Sequence, residues 1–269
     1  MRSFCSRIHR VLLTCTQAGY SRGSRNCVSH ATACIDQNLS TCGSGPGSTD
    51  HLTLKAVQLI KRAEVIVYDD LGTQAALDEF ANPSAVRKYV GKRGQKQSIK
   101  QPDIDKLLVN LCQQGKDVVR LKGGCPSTFS RVGSELRALS AASIPHEMVP
   151  GISSALAAPV LAGFPLTEAV LSTSYTVLTA HAPDKVEWSK YAQLDTIVLL
   201  MAASNLRVIM QHLLNTAWPS ETPVAVIKWA GTEQQQTWHS SIDSVADKLH
   251  DEQLSPCIIV VGNVTAFAS

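Results

Sequence analysis

Short β-branched runs alternate with helical stripes from about residue 54 to residue 262, and this alternation constrains the fold more than any other feature of the chain. Leu54, Val57, Ile60 and Lys61 step along one predicted helix that ends near Ala63. Glu64–Tyr68 (EVIVY) reads as a buried strand. Pro102 suits the first turn of a helix whose apolar stripe is Ile104, Leu107, Leu108 and Leu111, with Gly115 as its stop. Asp117–Leu121 (DVVRL) is the next strand, and Ser153–Ala162 is a small-residue helix closed by Gly163. A connector at 163–171 leads to predicted strands at Tyr175–Thr179, Thr196–Met201, Val224–Trp229 and Cys257–Gly262. Helices at about 203–214 and 241–250 separate some of them. Such alternation predicts an α/β chain in two lobes, with ligands near the carboxyl ends of strands. The expected division is a leader over 1–38, an N-terminal α/β domain over 39–167 and a C-terminal α/β domain over 168–269.

Composition narrows the function classes. With 44% hydrophobic residues and a net charge of +3, a packed core is expected rather than disorder. The longest apolar stretch, Ala155–Leu166, is broken by Pro159, Gly163 and Pro165, which argues against a membrane span. Residues 1–35 hold five Arg (2, 7, 10, 22 and 25), no Lys and no acid, together with several Ser. That is the pattern of an organelle transit peptide, with a disordered tail or a misplaced start as the alternative. The remainder carries 20 basic against 22 acidic residues and has no surplus with which to hold nucleic acid. The eight cysteines show no C-x-x-C and no Cys/His ligand spacing, so neither a zinc site nor a disulfide framework is expected.

Several segments could carry chemistry. Gly43-Ser44-Gly45-Pro46-Gly47-Ser48 precedes a helix and is either a ligand loop or a simple turn. It fails the dinucleotide pattern at Ser48 and lacks the P-loop Lys. Leu121-Lys122-Gly123-Gly124-Cys125-Pro126 follows a strand, and its paired glycines suggest close backbone approach. Cys125 is a packing or cofactor-lining residue more readily than a nucleophile, since no His lies near it in sequence. In Pro150-Gly151-Ile152-Ser153-Ser154, a serine either caps the next helix or touches a cofactor. Asp69 and Asp70 close the strand EVIVY, as a candidate general base or as a helix cap. Lys92 lies in a basic turn, YVGKRG, solvated or catalytic.

Taken in order, these segments resemble the tetrapyrrole (corrin/porphyrin) methylases, nearest their uroporphyrinogen-III branch. The landmarks are GSGPG (43–47), LTLKAV (52–57), VIVYD (65–69), YVGKRG (89–94), VVRLKGG (118–124), VPGISSALAAP (149–159), AGFPLT (162–167) and IIVVGNV (258–264). The resemblance implies a two-domain α/β fold with a cofactor cleft between the domains, a homodimer, and S-adenosylmethionine (SAM) as co-substrate without a metal. It carries SAM contacts onto Pro46, Gly123, Gly124, Cys125, Thr128, Ser153, Ser154, Met201 and Ala230. The proton acceptor maps to Asp69 and the proton donor to Lys92, while Arg131 and His181 match substrate positions. The implied activity is C-methylation of uroporphyrinogen III to precorrin-2 for sirohaem, in the plastid stroma or, second, the mitochondrion. No nucleic-acid or membrane partner is implied.

The chain departs from the family pattern at informative places. Cys125 and Ser48 stand where the family has Asp, and Asp70 where it has Arg. Glu168-Ala169 replaces a basic pair, and Gln236 replaces an Arg. Lost basic groups weaken capture of a polycarboxylate, so a different substrate, or a silent SAM-binding paralogue, are the alternatives. The strand expected ahead of GSGPG is also poor, because Asn38–Cys42 is polar. The reading requires 43–47, 123–125 and 150–154 to meet in one crevice.

Overall fold

The computed structural model describes residues 39–71, 73–91 and 99–267; the leader and Lys92 lie outside the described residues. The first sheet contains β1 (Leu39–Gly43), β2 (Val65–Tyr68), β3 (Val86–Tyr89), β4 (Val118–Lys122) and β5 (His146–Val149) in the order β3-β2-β4-β1-β5. Every pairing is parallel, so all five carboxyl ends share one edge. Helices α1 (Leu54–Arg62) and α2 (Gln74–Phe80) cover one face, burying Ala56, Leu59, Ile60, Ala76 and Leu77 against Ile66, Val119 and Leu121. Helices α3 (Gln101–Gln113) and α4 (Val132–Ala141) cover the other, with Ile104, Leu108, Leu111 and Leu139 on Val65, Val67 and Val118. The loop leaving β1 leads over β4 toward β2, and the loop leaving β4 leads over β1 toward β5. The exits of β1 and β4 therefore part in opposite directions, which opens a crevice between them.

The second sheet runs β6-β7-β10-β8-β9, from β6 (Tyr175–Thr179), β7 (Thr196–Leu200), β8 (Pro223–Lys228), β9 (Gln236–Ser241) and β10 (Cys257–Gly262). Strands β6 and β7 are parallel, and β10 opposes both β7 and β8, so β8 points the same way as β7. One face packs on α6 (Leu206–Leu214) and α7 (Val245–Lys248). The other packs on Ala155 and Ala158 of α5 (Ser154–Leu161) and on Phe164.

Several expectations need correction. Helix α1 faces inward with Ala56, Leu59 and Ile60, while Leu54 is 82% exposed, so the stripe is rotated from the one predicted. The polar segment ahead of Gly43, a poor strand by its sequence, is a buried strand between β4 and β5. Ladder pairing satisfies its backbone, and Ser40 donates to Glu147 at 2.9 Å. Strand β9 and helices α2 and α4 were not predicted, and the helix expected over 241–250 shrinks to Val245–Lys248.

Candidate active site

Three glycine-punctuated exits meet at the carboxyl edge of the first sheet. Gly45 and Gly124 form an isolated antiparallel bridge, with N–H···O distances of 3.2 and 3.0 Å. Gly151 lies between Gly43 and Gly124 so closely that a Cβ on it would stand 2.3 Å from the Gly124 carbonyl oxygen and 2.7 Å from the Gly43 Cα. Only glycine allows three main chains to touch in this way.

A fourth loop comes from the second sheet. Gly231 follows β8, its carbonyl accepts from the Ser48 amide at 2.9 Å, and a Cβ on it would stand 2.6 Å from the Pro46 oxygen. That oxygen also has His51 Nδ1 at 2.8 Å. The exits of the two sheets are thus joined at Pro46–Ser48 and Gly231, next to Ala230.

Other predicted site residues sit on the same edges. Met201 directly follows β7, and the half-buried Ala230 lies two residues beyond β8. Phe129, Arg131, Met201 and Trp229 have φ between 48° and 59°, the left-handed region that side chains disfavour. They make up four of the five non-glycine residues of this kind among those described, so backbone strain concentrates at the exits. Arg131, His181 and Met201 are exposed and make no hydrogen bond to the glycine cluster among the described residues.

Ser153 caps α5, accepting from the Ala155 amide at 3.3 Å, while Ser154 is only partly buried. The Cys125 thiol lies 3.0 Å from the Ser127 hydroxyl. Burial works to raise this thiol, but hydrogen bonds from the Ser127 side chain, the Gly151 and Ser127 amides and the Thr128 side chain bring it below its usual value.

Asp69 leaves β2 at the same edge. Its Oδ2 accepts from Arg120 Nη2 at 3.0 Å, and Oδ1 has no hydrogen-bond partner among the described residues. Its side chain is part exposed. Thr73 occupies the N-cap position of α2 without a side-chain cap bond, its hydroxyl donating back to the Asp69 carbonyl, so neither Asp69 nor Asp70 serves as the helix cap. Gly123 passes against Leu71, two residues beyond Asp69. Sequence reasoning matched Glu135 to a family position but did not find Arg120 and Lys122, which complete a buried charged group behind Asp69. Alternation along β4 was the available signal, since it turns 120 and 122 to one face.

These groups suit a ligand that is flat, part polar and part apolar. The joined exits offer peptide groups, Thr128 and Ser154 offer hydroxyls, and Met201 and Ala230 offer apolar contact. Among the described residues no cluster of His, Cys, Asp or Glu could hold a metal, and no helix is long and apolar enough to cross a membrane.

The chain is similar to known proteins in sequence and in fold. Residues 38–246 match the model of the Tetrapyrrole (Corrin/Porphyrin) Methylases. The chain is 45% identical to a uroporphyrinogen-III C-methyltransferase of Synechococcus elongatus, over 82% of this chain and 91% of that one. It is 43% identical to the enzyme of the same name from Methanocaldococcus jannaschii, over 82% and 94%. The crystal structure of uroporphyrin-III C-methyl transferase from Thermus thermophilus complexed with S-adenyl homocysteine superposes with a TM-score of 0.74 at 30% identity, covering 86% of this chain and 99% of that one. By sequence and by fold, the chain belongs to the tetrapyrrole (corrin/porphyrin) methylases.

Proposed function

We propose that the chain is a SAM-dependent uroporphyrinogen-III C-methyltransferase that makes precorrin-2 for sirohaem. The observation that carries this reading is the meeting of four loops, from β1, β4, β5 and β8, at one junction in a chain 45% identical to a relative of that name. The co-substrate supplies an electrophilic methyl on a sulfonium centre. The peptide groups at Pro46 and Gly123–Cys125, with Thr128, Ser153, Ser154, Met201 and Ala230, hold and orient it, and orientation supplies much of the rate. Asp69 takes the proton that the methylated ring carbon must lose, through Oδ1, the oxygen that Arg120 does not hold. Lys92 is the proposed donor, and Arg131 and His181 are proposed to meet substrate carboxylates.

Anaerobic incubation with enzymatically made uroporphyrinogen III and methyl-labelled SAM tests the reading, and label in the tetrapyrrole is expected. Its absence, with a working positive control, rejects the assignment. The lost basic residues favour a second reading, a different tetrapyrrole substrate. Glu168 stands in one of those places and uses its carboxylate to accept from the Val170 and Leu171 amides at 2.8 and 2.9 Å. Micromolar SAM binding by calorimetry, with label transferred to another tetrapyrrole and none to uroporphyrinogen III, would select that reading.

The proposed location is the plastid stroma, with the mitochondrion second, on the strength of the Arg-rich, acid-free leader. The proposed assembly is a homodimer. Leu156 and Val160 present an apolar face on α5, Val160 being 70% exposed. Light scattering of the full chain tests it, and a monomer at micromolar concentration refutes it.

A further inference from the structure

The charged side chains between β4 and α4 have no task in the chemistry so far. Alternation along β4 turns Arg120 and Lys122 toward α3 and α4, where Glu135 meets both. All three are at most 4% exposed. Burying ions carries a heavy desolvation cost, and an apolar trio would join strand to helix without it.

Arg120 uses every nitrogen of its fork. Nε donates to Glu135 Oε1 at 3.3 Å. Nη1 donates to the Val67 and Leu121 carbonyls at 3.3 and 2.9 Å. Nη2 donates to Asp69 Oδ2 at 3.0 Å. Glu135 is itself held through Oε1, which accepts from Lys122 at 2.8 Å and Gln101 at 3.4 Å. The guanidinium is therefore fixed from the core side before it reaches the edge of the sheet.

We propose that Arg120, seated by Glu135, is a positioning residue for Asp69. It holds one carboxylate oxygen and so fixes where the other points. The inference rests on Asp69 being the proton acceptor.

A double-mutant cycle on the full chain tests it, reading kcat with uroporphyrinogen III and labelled SAM, and SAM affinity by calorimetry. Arg120→Gln should lower kcat on the order of 100-fold while SAM affinity stays near normal. In the Asp69→Asn background the same substitution should cause no further loss. Arg120→Lys keeps the charge beside Glu135 but lacks the fork, so its kcat should also fall. Equal losses in the two backgrounds would make Arg120 a structural tie and overturn the proposal. So would failure of both Arg120 variants to fold, judged by circular dichroism. Normal turnover in Asp69→Asn would remove the acceptor, and the inference with it, while leaving the methyltransferase reading intact. Absence of labelled product from the unmodified chain would instead sink that reading.

Discussion

The two sheets solve the same packing problem with different materials. The first is parallel throughout, has helices on both faces, and still buries Arg120, Lys122 and Glu135. The second is mixed, and its larger core is built from apolar residues such as Ile197, Leu199, Ile209, Val226 and Ile259. A parallel sheet brings every carboxyl end to one edge, so its reactive groups gather there with charged support behind them. The second sheet sends three exits, those of β6, β7 and β8, to its corresponding edge and contributes main chain, apolar surface and His181. The contrast teaches that the buried charges are assigned, with the proposed proton acceptor, to the first sheet, while apolar cores hold both sheets.

Substitutions can break that contrast. The largest effect on folding is expected in the second sheet. Leu199→Ala should cost about 2–5 kcal/mol in denaturant unfolding, because its fully buried side chain leaves a cavity. Next, Asp69→Asn should reduce turnover on the order of 100-fold, with melting temperature and SAM affinity near normal. If this variant loses stability but keeps its rate, the division of labour is wrong.

Gly151→Ala sharpens the comparison, since it touches only main chain. Its Cβ would press on Gly124 and Gly43, so about 1–3 kcal/mol of stability should go. SAM affinity should fall with it, measured by calorimetry.

The smallest effects concern thiols. Burial pushes Cys42 and Cys257, one in each sheet, up to about 12. The unfolded chain ionises these thiols near the ordinary value of 9.0 while the folded chain keeps its protons. Their contribution to stability is therefore full below about pH 9 and is lost as pH rises toward 12. Cys125, half-buried and lowered, should be alkylated by iodoacetamide at pH 8 well before Cys42, Cys112 or Cys257, as peptide mapping would show.

Much of the fold was legible where local signals and tertiary demands agree. Pro102 and the stripe Ile104–Leu111 marked α3, and β6 and β10 fall on the residues expected of them. The three exits expected to meet do meet, because strand ends followed by glycines leave few other arrangements. Strand β1 was misjudged because its polarity is resolved by partners far away in sequence, such as Glu147. Strand β9 reads QTWHSS, without an apolar period, and takes its shape from pairing with β8. The cluster around Arg120 joins residues 13 to 51 positions apart, so no local pattern could announce it beyond the alternation of β4.

The junction of Gly43, Gly45, Gly124, Gly151 and Gly231 is made of main chain against main chain. A socket built this way is nearly indifferent to the side chains around its rim. With Cys125 and Ser48 in place of the family's acids, the main-chain contacts of the junction are still made.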